Sequence, residues 1–130
     1  MACGILLITH PGIGSALLRV ARHLLKQIPL NVEVFEVAFD ADLAKLSQHA
    51  LAVAKRLNQG DGVLVLTDLY GASPSNLARL VANRGVPIQR VSALNLPMLL
   101  RVLNYPEQIL QELSAIAAAG ACKGAIIDDA

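Results

Sequence analysis

Apolar and polar positions along this 130-residue chain follow two alternating periods. Residues 3–9 (CGILLIT) form an unbroken apolar run closed by turn residues, and 62–68 (GVLVLTD) repeat its character. Short runs with no polar face predict strands buried on both sides. Residues 31–39 (NVEVFEVAF) alternate and are rich in Val and Phe, which predicts a second, half-exposed strand. Residues 86–94 (VPIQRVSAL) predict a fourth. Helical spacing fills the gaps. After the loop HPGIGS, Ala16, Leu17, Val20, Ala21, Leu24 and Leu25 recur on one side, with Arg19, Arg22, His23 and Lys26 on the other. Asp40 or Asp42 can cap a second helix whose Leu43, Leu46, Ala50, Val53 and Leu57 share a face, stopping near Gly60. A third follows LYGASPSN through Leu77, Leu80 and Val81 and ends before Gly85. Residues 96–119 read as helix interrupted around Asn104-Tyr105-Pro106, since proline opposes continuation from its N-terminal side. The tail 122–128 (CKGAIID) is β-like and carries a lysine, as edge strands often do.

Strands and helices in alternation predict an α/β fold: a doubly wound, mostly parallel sheet with helices on both faces. No linker, repeat or low-complexity stretch divides it, so residues 1–130 read as a single domain. An apolar fraction of 55% with 16% charged residues excludes a disordered chain. The formal charge of +1 leaves no basic excess for a nucleic-acid partner, and aromatics at 3% leave no base-stacking platform. Cys3 and Cys122 make no Cys-x-x-Cys pair and are expected to be buried, reduced thiols. The first eighteen residues are uncharged apart from His10, but they lack a basic leader. They also place His10, Pro11, Gly12 and Gly14 where a membrane span would be continuously apolar. A cytoplasmic protein without membrane insertion is the expectation.

The chemistry-bearing groups gather at strand ends. Ligands of open parallel sheets bind beyond the carboxyl ends of the strands, where strand order reverses. Here the first strand ends in Thr9-His10 and the third in Thr67-Asp68, so His10 and Asp68 are placed to meet. A carboxylate on one imidazole nitrogen fixes the tautomer and leaves the other nitrogen nucleophilic. HPGIGS and GASPSN each run into a helix N-terminus, whose free N–H groups and positive dipole end would receive an anion beside His10. Ser73 fits a helix cap and Pro74 the first helical position, while the G-x-S-x-G elbow of a serine nucleophile is missing. Neither a P-loop nor a His/Cys/Asp cluster at metal-ligand spacing is present, so no metal and no cofactor is implied. The plain alternatives stand beside these roles: His10 as a polar strand end, Asp68 and Ser73 as turn and cap residues, His23 and His49 as solvated side chains. Tyr70 either lines the site or covers the third loop.

ILLITH at 5–10, VLVLTDLYGASPSNLA at 63–78 and VSALNLPMLLRVL at 91–103 resemble the enzyme IIA domain of the mannose-type bacterial sugar phosphotransferase system. The resemblance spans essentially the whole chain. It implies a phosphocarrier in which His10 takes a phosphoryl group from phospho-HPr and passes it to a IIB protein. Asp68 matches the orienting aspartate and Ser73 a serine near the phosphoryl group. Thr9, Gly12, Gly14, Gly71, Ala72 and Asn95 fall at positions lining the site. The family fold adds one antiparallel edge strand exchanged within a homodimer, for which 122–128 is the candidate. Two departures stand out. Pro11 replaces the family's glycine after the histidine, removing a backbone donor, and Gly71-Ala72 replaces Gly-Gly. No IIB domain is expected within these 130 residues, so the alternative is a stand-alone regulatory protein whose His10 phosphorylation state controls binding to a partner. A small-ligand binding module, with His10 as a simple hydrogen-bond donor, is a third.

Overall fold

β1 (Gly4–Thr9) is the strand around which the molecule is built. In the computed structural model, which describes residues 2–129, its Ile5, Leu6, Leu7 and Ile8 are all fully buried. β2 (Val32–Glu36), β3 (Val63–Thr67) and β4 (Ile88–Val91) complete a sheet of order β2-β1-β3-β4, parallel throughout. β1 and β3 are central, which is why they read as unbroken apolar runs, whereas β2 and β4 at the edges are partly exposed.

Side-chain parity along the central strands sorts the helices into two layers. Ile5, Leu7, Leu64 and Leu66 point to one face and pack with Leu18 and Ala21 of α1 (Ile13–Leu25). On the same side lie Met98, Leu99 and Val102 of α4 (Leu96–Leu103) and Leu113 and Ala117 of α5 (Leu110–Lys123). Leu6, Ile8, Val63 and Val65 point to the other face. There they meet Ala50, Ala54 and Leu57 of α2 (Leu43–Leu57) and Leu77, Ala78 and Val81 of α3 (Ser73–Val81). Each buried aliphatic side chain contributes about 1.5–3 kcal/mol, and β1 alone supplies four. The chain runs outward from β1 to β2 and then crosses to β3, so strand order reverses between β1 and β3.

Several expected boundaries move. β2 stops at Glu36 and β4 spans four residues, because their flanking residues turn into the loops above the sheet. The helix over 96–119 is divided, with Asn104 to Ile109 between α4 and α5. The tail differs most. Cys122 and Lys123 belong to α5, and residues 124–129 form no strand in a single chain. The antiparallel edge strand is therefore not part of the sheet observed, and the fold is fully parallel. Cys122 is exposed rather than buried, since it lies in the last turn of a helix already leaving the core. Cys3 is buried as expected, its thiol donating to the Asp61 carbonyl at 3.3 Å. Burial, with the Asp61 charge second, pushes this thiol up from its ordinary value and keeps it protonated.

Candidate functional site

The ends of β1 and β3 bring His10 and Asp68 together at the point of strand reversal. Asp68 Oδ2 accepts twice from one residue, from the His10 backbone N–H at 2.9 Å and from Nδ1 at 2.8 Å. A carboxylate only accepts, so the Nδ1 side of the ring carries the proton and Nε2 carries the free lone pair. Asp68 is nearly buried, at 7% side-chain exposure against 23% for His10. Its other oxygen, Oδ1, is buried without a protein hydrogen-bond partner among the described residues. The β3 end that carries Asp68 is braced from the outer strand. Thr67 Oγ1 and Ser92 Oγ are 2.9 Å apart, and the Leu94 N–H bonds the Thr67 carbonyl at 2.9 Å.

Pro11 has a local reason to be there. His10-Pro11-Gly12-Ile13 closes with a bond from the Ile13 N–H to the His10 carbonyl at 3.3 Å. Gly12 sits at φ 84°, ψ −18°. These are the marks of a type II turn, with proline at its second position and glycine, able to take positive φ, at its third. The missing N–H of Pro11 is one that such a turn leaves unused. Thr9 is buried, and its hydroxyl donates to the His10 carbonyl at 2.8 Å and accepts from the Gly14 N–H at 2.9 Å. Gly14 has no room for a side chain: a Cβ there would lie 2.7 Å from Val34 Cγ1.

The two helix N-termini that follow His10 and Asp68 are not equivalent. At α1 the donors expected to be free are taken. Glu36, paired with Thr9 in the β1–β2 register, reaches over the helix end. Its carboxylate accepts from the Gly12 N–H at 3.0 Å, the Ser15 N–H at 3.1 Å and the Ser15 hydroxyl. The Ser15 hydroxyl first, then the two backbone donors, hold this carboxyl below its ordinary range. The expected anion contacts from Gly12 and Gly14 are thus replaced by Glu36 and Thr9, which already satisfy those amides.

At α3 the reverse holds. Ala72 is the N-cap, no side chain caps the helix, and Ser73 occupies the first helical position rather than the cap. Gly71, at φ 84°, turns the chain into the helix, held by Asn76 Nδ2 donating to its carbonyl at 3.3 Å. An uncapped N-terminus carries partial positive charge and unpaired N–H groups. Asn95 is committed elsewhere. It caps α4 by accepting from the Met98 N–H at 2.9 Å and donates toward the Ala121 carbonyl at 3.4 Å. Tyr70 is 85% exposed and lines an open surface cavity with Gly71, Asn76 and Arg90, a lining that does not include His10. His23 and His49 are exposed on their helices.

Two residues near His10 were not anticipated. Glu36 is one; the other is Phe39, whose ring stacks on the imidazole with centroids 5.7 Å apart and planes inclined by 28°. Glu36 ends a strand far along the chain from Gly12 and Ser15, so no local signal marked it. Nothing in the local pattern marks Phe39.

A parallel, doubly wound sheet that ends in a carboxylate-held imidazole, with an uncapped helix starting five residues after that carboxylate, defines a class of α/β domain suited to handling an anion at a histidine. The chain belongs to the EIIA-man family, described as "PTS system fructose IIA component", which it matches over residues 4–119. It is thereby one of the IIA components of sugar phosphotransferase systems. Among solved structures it is similar to the mannose/sorbose-specific IIA subunit of the phosphotransferase system from Enterococcus faecalis. That comparison gives 20% identity and a TM-score of 0.87, covering 100% of this chain and 97% of the other. It is also similar to the PTS IIA protein associated with the fucose utilization operon from Streptococcus pneumoniae, at 24% identity and TM-score 0.74, with 99% and 97% coverage. The EIIA component from Streptococcus agalactiae gives 19% and 0.78, with 98% of each chain covered. At these identities the likeness concerns the fold. No curated protein matches the chain in sequence. Among the described residues no helix is long and apolar enough to cross a membrane.

Proposed function

We propose that the chain is a cytoplasmic phosphohistidine carrier: His10 accepts a phosphoryl group from phospho-HPr and passes it to a IIB protein. The observation that carries this reading is the double hold of Asp68 Oδ2 on His10, which leaves Nε2 as the nucleophile at the sheet edge. In the transfer, the Nε2 lone pair forms the new N–P bond in line as the donor's N–P bond breaks, its electron pair returning to the donor nitrogen. The Nδ1 proton stays in place, and Asp68 balances the positive character the ring acquires. The α3 N-terminus and the Ser73 hydroxyl hold the equatorial oxygens as charge spreads over them in a loose transition state. α1 plays no such part, because Glu36 occupies its donors. Transfer between two histidines is close to balanced, so positioning supplies most of the catalysis.

The homodimer belongs to the same proposal, with the exchanged segment shortened to residues 124–129. Ile126 and Ile127 are 70% and 79% exposed, and β4 has a free edge on its outer side. Incubation with phosphoenolpyruvate, enzyme I and HPr is expected to give one acid-labile phosphoryl group per chain. A His10→Ala variant that still accepts phosphate at the normal rate would overturn the assignment.

A further inference from the structure

We infer that Phe39 is a positioning residue for His10: its ring holds one face of the imidazole and screens the phosphorylated form from water. The inference rests on the phosphocarrier reading and adds to it a group outside the His10–Asp68 pair. Phe39 is 81% exposed, so it serves no core. Yet its ring lies on that of His10 at 5.7 Å between centroids, within the range of a favourable aromatic pair.

Its backbone is fixed on both sides. Two residues before it, buried Val37 donates its N–H to the Thr9 carbonyl at 2.8 Å, tying the chain to the end of β1. Phe39 itself lies in a turn closed by the Ala41 N–H on the Ala38 carbonyl at 3.2 Å. Three residues after it, Asp42 caps α2 through the Ala44 and Lys45 N–H groups. The stack is therefore presented by an ordered loop.

Its geometry suits transfer. Asp68 grips the imidazole through Nδ1, in the ring plane, and the Phe39 ring lies toward one face, near-parallel to it at 5.7 Å between centroids. The Nε2 lone pair also lies in the ring plane, so a face-on stack leaves in-line attack open. What the stack restrains is rocking of the ring about the Asp68 contact, and what it displaces is water over that face.

The test compares Phe39→Leu, which keeps apolar bulk without a ring, and Phe39→Tyr, which restores the ring, against the intact protein. Ring stacking shifts the imidazole carbon-bound protons of His10 in the NMR spectrum of the unphosphorylated protein. That displacement is expected to vanish in Phe39→Leu and persist in Phe39→Tyr, with thermal unfolding unchanged in both. In Phe39→Leu, phosphoryl uptake from phospho-HPr is expected to slow, and spontaneous phosphate loss to quicken, each by roughly twofold to tenfold, the effect of one aromatic pair. Phe39→Tyr should recover both. If the imidazole resonances do not move in Phe39→Leu, or both rates stay at the level of the intact protein, the inference is wrong while the carrier reading survives. If the intact protein takes no phosphate, both fail.

Discussion

Replacing Asp68 with asparagine separates the charge at this site from its shape. Oδ2 accepts from the His10 N–H at 2.9 Å and from Nδ1 at 2.8 Å, and an asparagine oxygen in the same place keeps both contacts. The amide nitrogen then falls where Oδ1 is now, buried and already without a protein partner. Packing is thus nearly unchanged and the negative charge is gone. A hydrogen bond to a charged group is worth about 1.5–3 kcal/mol against about 0.5–1.5 for a neutral one. Of the two bonds, the one to Nδ1 strengthens as the ring becomes cationic during transfer, and this difference alone affects the rate. A loss of about 1–1.5 kcal/mol in the transition state is a slowing of roughly 5-fold to 13-fold. Rapid-quench measurement of phosphoryl uptake from phospho-HPr reads this directly. An Asp68→Asn protein that accepts phosphate within a factor of two of the unsubstituted protein would refute the role given to the carboxylate.

Glu36→Gln should lower stability at neutral pH by about 0.5 kcal/mol, the size of an exposed carboxylate at a helix N-terminus. The Glu36 carboxyl is held low in the folded state, so its contribution is complete above the ordinary glutamate value of about 4.3 and fades as pH falls through the lowered one. Denaturant melts of the two proteins should therefore converge in acid; a gap that widens there would contradict the sign. Gly12→Ala meets no atom within 4 Å but must hold φ 84°, so a loss of about 1–2 kcal/mol is expected from conformation alone. Gly14→Ala, pressed against Val34 and Thr9, should lose about 1–3 kcal/mol by overpacking. Equal tolerance of both in thermal melts would contradict the turn described. Removing residues 124–130 should convert a dimer to monomers in sedimentation, and a monomeric intact chain would exclude the exchange.

What could be read from the sequence was set by short-range pattern. The apolar runs of β1 and β3, and the parity that divides Ile5 and Leu7 from Leu6 and Ile8, follow from a buried parallel sheet. The meeting of His10 and Asp68 follows from where such a sheet reverses its order. Glu36 was not legible at the α1 end because its partners Gly12 and Ser15 lie 24 and 21 residues away, joined only by the β1–β2 register. Phe39 reaches His10 through a loop whose course no periodicity describes. Ser73 sits one place inside the helix because Ala72, in extended conformation, serves as the cap. At the tail, the helix-favouring alanines 117–119 and 121 carry α5 past the point where the β-like pattern begins.

The most direct measurement is the position of phosphorus on the imidazole. With uniformly nitrogen-15-labelled protein phosphorylated through HPr, phosphorus–nitrogen coupling identifies the bonded ring nitrogen. Asp68 on Nδ1 requires the phosphoryl group on Nε2 of His10. Phosphate on Nδ1, or on any other residue, would contradict the account.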